Sequence, residues 1–167
     1  MDRNQDGEIN ESEWNRFNTG FGGFIKRTEP GVFALKLGGQ GELNRESVVW
    51  HNKRRVAEVR SLLVLEDRIF VVRNGGIVHC RELATGKDLY RGRLGATGGY
   101  YTSPVAADGK VYFASDRGLV TVIDAHSSKL SVLARNDLGE PIMATPALVD
   151  QRIYLRTEDH MYAFSSQ

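Results

Sequence analysis

The sequence has little cysteine and little proline, with one Cys and four Pro among its 167 residues. A single cysteine cannot form an intramolecular disulfide and cannot build a cysteine-based zinc cluster. No apolar run approaches the roughly 20 residues that a membrane-spanning helix needs. The charges nearly cancel, with 22 Lys and Arg against 21 Asp and Glu, so nothing favours nucleic acid or an anionic membrane. We therefore expect a globular protein with neither a nucleic-acid partner nor a membrane span.

Three local features have plain structural interpretations. The basic cluster at residues 53–55 is typical of a solvated face, since nucleic-acid sites need broader basic surfaces. Cys80 lies within the apolar alternation "GGIVHCREL", which predicts a small buried core residue. The four histidines have no spacing typical of a metal site or a catalytic triad, and they stand at His51, His79, His126 and His160.

The chain repeats itself at an interval of 42 residues. The three copies are "SLLVLEDRIFVVRNGGIVHC" from Ser61, "SPVAADGKVYFASDRGLVTV" from Ser103 and "TPALVDQRIYLRTEDHMYAF" from Thr145. Each copy reads as an apolar run, an acidic turn, a β-branched and aromatic strand, a polar turn and a third strand. A fourth run follows as "LYRGRL" or "LSVLAR". Four antiparallel strands in about 40 residues are typical of a propeller blade.

Partial copies flank the complete ones. Upstream, "GVFALKL" matches a third strand and "SVVWHNKR" a fourth, while the last copy stops after its third strand. The sequence therefore predicts an all-β, partial β-propeller of about three four-stranded antiparallel blades. The predicted units are a half blade at 31–56, blades at 59–100 and 101–142, and an incomplete blade at 143–167.

These units resemble the quinoprotein-type, PQQ-like β-propeller repeat, and "ELATGKDLY" resembles its outer-strand turn. The family includes quinone-dependent dehydrogenases, outer-membrane assembly factors and many uncharacterised secreted propellers. The chain looks most like an uncharacterised bacterial group in which an EF-hand segment is inserted between blades. The resemblance implies a periplasmic or secreted protein. One departure is that the outer-strand Trp of the repeat is Tyr90 in one unit and Val132 in the next, so that only Trp50 remains.

The opening "MDRNQDGEINESEW" matches the calcium-loop pattern D-x-[DN]-x-[DN]-G-x5-E at every fixed position. Alternate residues of such a loop point inward, so carboxylates, an amide and one backbone carbonyl converge on a single ion. Gly7 stands where the chain must turn sharply. We expect Ca²⁺ to be bound by Asp2, Asn4, Asp6, the carbonyl of Glu8 and both carboxylate oxygens of Glu13, with Asn10 acting through a water.

A complete EF-hand has a helix before its loop, but here only Met1 precedes Asp2. The sequence therefore predicts a truncated EF-hand at 1–18, with a short exiting helix near residues 10–18, and a Gly-rich linker at 19–30. We expect the chain to be a C-terminal fragment of a larger propeller protein, with the missing strands and any signal peptide upstream of Met1.

Three functions remain open. The favoured one is a non-catalytic propeller scaffold or binding module, stabilised by calcium, whose open blade edges meet a protein partner, the remaining blades or a second copy. The second is part of a quinone-dependent oxidoreductase. The third is a calcium sensor, which needs paired loops and a Met-rich groove, whereas this chain has one loop and three Met.

The oxidoreductase alternative makes specific demands. The resemblance implies a Trp platform under the quinone, often an adjacent-Cys disulfide above it, and a central Ca²⁺ held by Glu, Asn and Asp beside a catalytic Asp. None of these motifs maps onto a position of this sequence. We therefore predict no catalytic residue and no quinone-binding residue in this chain, and we do not expect PQQ to bind it.

Overall fold

A computed structural model describes residues 10–12, 15, 31–36, 45–53 and 60–165. These residues form thirteen strands in four antiparallel sheets, with a short 3-10 turn at Arg45–Ser47. The predicted all-β fold of four-stranded antiparallel blades is confirmed. Helical residues in the described part near the N-terminus are Glu11, Ser12 and Asn15. No described helix is long and apolar enough to cross a membrane.

The four sheets are named blades 1 to 4 in chain order. Blade 1 has two described strands, which are β1 (Val32–Leu35) and β2 (Val48–Asn52). Blade 2 has four, which are β3 (Leu63–Leu65), β4 (Arg68–Arg73), β5 (Ile77–Glu82) and β6 (Asp88–Arg93). Blade 3 has β7 (Val105–Ala107), β8 (Lys110–Ala114), β9 (Leu119–Asp124) and β10 (Val132–Asp137). Blade 4 has β11 (Ala147–Val149), β12 (Arg152–Arg156) and β13 (Met161–Ser165).

Tight turns join the first two strands of blades 3 and 4. Asp108 and Gly109 have φ values of 50° and 67°, and Asp150 and Gln151 have 46° and 63°. Two successive residues with positive φ are typical of a type I′ turn, whose twist suits a two-residue hairpin. Asp-Gly is a residue pair that such turns favour, and Asp108 and Gly109 adopt the conformation that it predicts.

Neighbouring blades pack face to face. Side chains of β4 and β5 meet side chains of β8 and β9 in a core that includes Phe70, Val78, Cys80, Phe113 and Ile123. Cys80 is fully buried there, so its predicted role as a core residue is confirmed. The opposite face of blade 3 and blade 4 share a smaller core of Ala114, Val120, Ile142 and Leu155. This face-to-face stacking of sheets is the packing of a propeller.

The 42-residue repeat is also a physical repeat of hydrogen bonds. The N–H of Ser61 donates to Ser103 Oγ at 3.1 Å, and the N–H of Ser103 donates to Thr145 Oγ1 at 3.0 Å. Equivalent hydroxyl-bearing residues thus link successive blades at the start of their innermost strands. Their position explains why the sequence keeps Ser or Thr at each of these three places.

The fourth strands depart from the 42-residue spacing. Tyr90 lies opposite Cys80 in blade 2, and Ala134 lies opposite Val122 in blade 3. The connection from β9 to β10 is two residues longer than that from β5 to β6, so Ala134 rather than Val132 stands at the outer-strand position. The sequence interpretation of Val132 as that position is therefore wrong. The chain returns to the 42-residue register by Thr145.

Candidate functional site

The predicted calcium ligands Asp2, Asn4, Asp6, Glu8 and Glu13 lie outside the described residues. Asn10 is described, and its Oδ1 accepts hydrogen bonds from the Ser12 N–H at 3.1 Å and the Ser12 hydroxyl at 2.7 Å. Since the helical residues begin at Glu11, Asn10 caps the start of the helix. Within the described ranges no group of three or more His, Cys, Asp or Glu could hold a metal ion.

Trp50 and Cys80 are residue types that the resemblance places around a quinone, and in the described structure both have packing roles. The Trp50 indole N–H donates to the Leu83 carbonyl at 2.9 Å, and its ring lies so close to Gly86 that a Cβ there would come within 2.4 Å. Trp50 therefore docks blade 1 onto the outer turn of blade 2, and Cys80 is a free thiol inside a core. Neither side chain is placed to sandwich a planar cofactor.

The four histidines lie in separate surroundings. His51 stacks on Phe33 with ring centroids 3.8 Å apart. His126 faces the Glu66 carboxylate at 3.5 Å. His79 lies near Asp88, and His160 lies near Glu140.

The outer edge of blade 4 differs from that of blades 2 and 3. In blades 2 and 3 the third strand is paired on both sides, because β6 pairs with β5 and β10 pairs with β9. In blade 4, β13 pairs with β12 from Met161 to Ser165, and no described strand lies on its other side. An unpaired strand edge presents a row of N–H and C=O groups that can pair with another strand.

An apolar cleft opens beside this edge, between blades 3 and 4. Its volume is about 290 Å³. Phe164 of β13 reaches it and stacks on Tyr162 with ring centroids 5.7 Å apart. Although it lines the cleft, Phe164 is still 43% exposed. The other apolar lining residues are Val120, Val122, Leu138, Pro146, Ile153 and Leu155.

A larger groove of about 840 Å³ lies between the β7–β8 and β11–β12 turns and also reaches Phe164 and Ser165. The end of β13 is thus flanked by an apolar cleft and by a mixed polar groove. A bare strand edge with side-chain pockets beside it is the geometry used when a protein adds a foreign strand to its sheet.

A carboxylate latch, formed by Glu140, Thr157 and His160, holds the turn before β13. Glu140 accepts hydrogen bonds from the Thr157 hydroxyl at 2.5 Å and the Asp159 N–H at 3.3 Å, and its other oxygen lies 2.6 Å from His160 Nδ1. The Thr157 hydroxyl chiefly, with the Asp159 N–H and His160, lowers the pKa of Glu140 below its usual value.

Sequence reasoning missed this latch, although one signal was present. The same turns in blades 2 and 3 carry Gly76 and Gly118 at positive φ, where a Cβ would strike a backbone carbonyl at 2.5 or 2.7 Å. The repeat places His160 at that position in blade 4. The replacement of glycine by His160 therefore indicates the turn that contacts Glu140.

The described residues form a stack of PQQ-like propeller blades in which no described strand pairs with the outer side of β13. Residues 41–131 and 74–167 match the family described as outer membrane protein assembly factor BamB, and the chain belongs to that family. No curated protein matches the chain.

Solved structures share the fold at low sequence identity. BamB from Moraxella catarrhalis is 16% identical with a TM-score of 0.59, covering 71% of this chain and 40% of its own. The computationally designed Ika8 protein is 14% identical with a TM-score of 0.55, covering 71% and 36%. Quinohemoprotein alcohol dehydrogenase ADHIIG from Pseudomonas putida HK5 is 13% identical with a TM-score of 0.51, covering 58% and 16%. The chain thus spans about 40% of the length of that BamB.

Proposed function

We propose that this chain is a non-catalytic propeller scaffold that binds a protein segment by accepting a β-strand on the open edge of β13. The observation that carries the proposal is the edge of β13, with which no strand of the described residues pairs, beside an apolar cleft. The description of the family as an assembly factor supports a role in binding proteins rather than in catalysis. Its reference to the outer membrane supports a periplasmic or secreted location.

Blades 2 and 3 indicate which strand would fit. In both, the fourth strand runs antiparallel to the third, with Tyr90 or Ala134 opposite the residue that corresponds to Phe164. Directly opposite residues share one face of the sheet, and both Tyr90 and Ala134 are followed by an arginine. We therefore propose that the incoming strand has an apolar residue opposite Phe164 and a basic residue directly after it. We propose that the remaining part of a larger propeller supplies this strand, since the chain spans only part of the BamB that it resembles.

We further propose that Ca²⁺ binds Asp2, Asn4, Asp6, the Glu8 carbonyl and Glu13, with Asn10 acting through a water. The spacing of oxygen-bearing residues supports this site. The cap that Asn10 forms at the start of the helix is consistent with a loop that ends in a helix. Calcium would then stabilise a segment outside the blades and take no part in a reaction.

The strand-addition proposal is tested with a peptide of the β6 segment, residues 87–94, which carries the alternation of a fourth strand. A fluorescent copy should bind the chain in an anisotropy titration, with a dissociation constant in the micromolar range or weaker, since ordering a short peptide is costly. Phe164→Asp should weaken binding at least tenfold, whereas the matched exposed variant Leu133→Asp on blade 3 should not.

The decisive control is the same peptide with alternate backbone amides N-methylated. It keeps every side chain but cannot pair with a strand edge. Binding as strong as that of the unmodified peptide would contradict strand addition and leave only side-chain contact with the cleft.

A further inference from the structure

One face of blade 2 carries more basic side chains than the matching face of blade 3. The face is the one opposite the core shared with blade 3, and alternation along β4, β5 and β6 places Arg73, His79, Arg81, Arg91 and Arg93 on it. The repeat places Ser115, Thr121 and Ile123 at the positions of the first three. Blade 3 keeps one arginine on this face, because Arg135 lies opposite Thr121 as Arg91 lies opposite His79. Packing in blade 3 is therefore achieved without basic residues at the positions of Arg73, His79 and Arg81.

Two buried side-chain nitrogen atoms on this face have no hydrogen-bond partner among the described residues. The Arg81 side chain is only 1% exposed, and its Nε donates to Asp88 Oδ1 at 2.9 Å while Nη1 has no hydrogen-bond partner. The His79 side chain is 9% exposed, and its Nδ1 lies 3.7 Å from the same carboxylate oxygen, too far for a hydrogen bond. Buried donors without acceptors are costly, so each such atom requires an explanation.

The electrostatic balance of this face favours an anion. Burial chiefly lowers the pKa of His79, Asp88 raises it, and the guanidinium groups of Arg81, Arg73 and Arg91 lower it further. Among the charged groups that act on His79, Asp88 has the largest single effect, and the three arginines oppose it. A neutral imidazole can still donate one hydrogen bond, and a guanidinium donates well to a tetrahedral oxyanion.

We propose that a small oxyanion of the phosphate type binds on this face of blade 2, accepting hydrogen bonds from Arg81 Nη1 and His79 Nδ1. Arg73 and Arg91 supply the remaining positive charge. Blade 1 borders the site, because Trp50 and Asn52 bond to the Leu83 and Gly86 carbonyls at the end of the same blade. The bound anion would therefore also strengthen the contact between blades 1 and 2.

The test is thermal unfolding of the full chain with increasing inorganic phosphate, at ionic strength held constant with chloride. A specific site gives a stabilisation that grows as the logarithm of phosphate above its dissociation constant. Arg91→Gln, on an exposed side chain that should leave folding intact, is expected to weaken the apparent affinity at least threefold. Arg81→Gln is expected to abolish the effect, and Arg117→Gln, an exposed arginine in the β8–β9 turn, should leave it unchanged.

Phosphate also stabilises proteins by exclusion from their surface, without any site. An equal rise in melting temperature for the wild type, Arg91→Gln and Arg117→Gln would therefore overturn the proposal. Broadening of the ³¹P signal of phosphate by the wild type, lost in Arg91→Gln, gives a second readout that does not depend on stability. If Arg81→Gln fails to fold, the Arg91→Gln comparison still decides the question.

Discussion

At the scale of single residues, Glu140 joins the connection before blade 4 to the β12–β13 turn. Its pKa lies below the usual value, so its folded form binds a proton less readily than its unfolded form. Such a group contributes stability above the unfolded pKa, and that stability is lost as the pH falls through the lower folded pKa. We expect the stability difference between wild type and Glu140→Gln to be constant near neutral pH and to shrink below about pH 4.5.

Denaturant unfolding at a series of pH values measures this difference. Glu158→Gln is the matched control, because Glu158 is exposed in the same turn and no described contact joins it to the latch. Parallel stability curves for wild type and Glu140→Gln down to pH 3 would contradict a stabilising role for the ionised Glu140 carboxylate.

The calcium loop is also a matter of single residues. Glu13 is predicted to bind with both carboxylate oxygens, so Glu13→Gln should remove most of the affinity. We expect a dissociation constant on the order of 10⁻⁴–10⁻³ M by calorimetry, the range of weak extracellular modules. Glu11→Gln, outside the ligand set, should bind as the wild type does. Equal calcium binding by wild type and Glu13→Gln would contradict the assignment of this loop as the calcium site.

At the scale of elements, the hairpin turns of blades 3 and 4 form a natural comparison. Both adopt the same conformation, but Gln151 at φ 63° stands where Gly109 stands at φ 67°. A residue with a Cβ is strained in this region, by about 1–2 kcal/mol. We expect Gln151→Gly to stabilise the chain by roughly 0.5–1 kcal/mol, because part of the relief is offset by the greater entropy of unfolded glycine.

The reciprocal change is the control. Gly109→Gln should destabilise by a similar or larger amount, since its Cβ would also lie 3.3 Å from the His126 ring. Denaturant midpoints at constant slope measure both variants. A destabilised Gln151→Gly protein would mean that contacts of the Gln151 side chain outweigh the strain.

The elements themselves were accessible from the sequence, whereas their exact pairing was not. The alternation of apolar and polar residues and the Asp-Gly turn signal depend on local chemistry, so the strands of each repeat were predicted. The register that puts Ala134 opposite Val122 depends on the length of the β9–β10 connection. Aligning the repeats at a constant interval of 42 residues does not show this difference in length. The burial of Arg81 and the latch on Glu140 depend on neighbouring blades, and no local pattern encodes such contacts.

The candidate site could also be predicted only in part from the sequence. The three strands of the last blade were predicted from the repeat. The cleft beside Phe164 was not, because its walls come from β9, β10 and β12, whose side chains meet only in the folded chain. The calcium ligands were predicted from spacing alone and stay a prediction.

At the scale of the whole molecule, the two outer blades present apolar side chains on their outward faces. Blade 1 exposes Phe33 and Leu35, each 43% exposed, and blade 4 exposes Met161 at 68%. In the stack, each inner face is covered by the next blade, so these outward faces are suited to receive another blade. If two copies met head to tail, blade 4 of one copy would pack against blade 1 of the other. Such a heterologous contact forms a closed ring or an open filament, depending on the rotation between the two copies.

We therefore expect the average mass in light scattering to rise above the 18.6 kDa of one chain as concentration increases. Met161→Glu and Leu35→Glu place a charge on opposite ends of the stack, and each should shift association to higher concentration because burying an unpaired charge is costly. Leu89→Glu, on the exposed side of β6, is the control that should associate like the wild type. A mass that stays at one chain at every concentration, with a single cooperative unfolding transition, would show that the outward faces are stable in water and that partner blades are not needed to cover them.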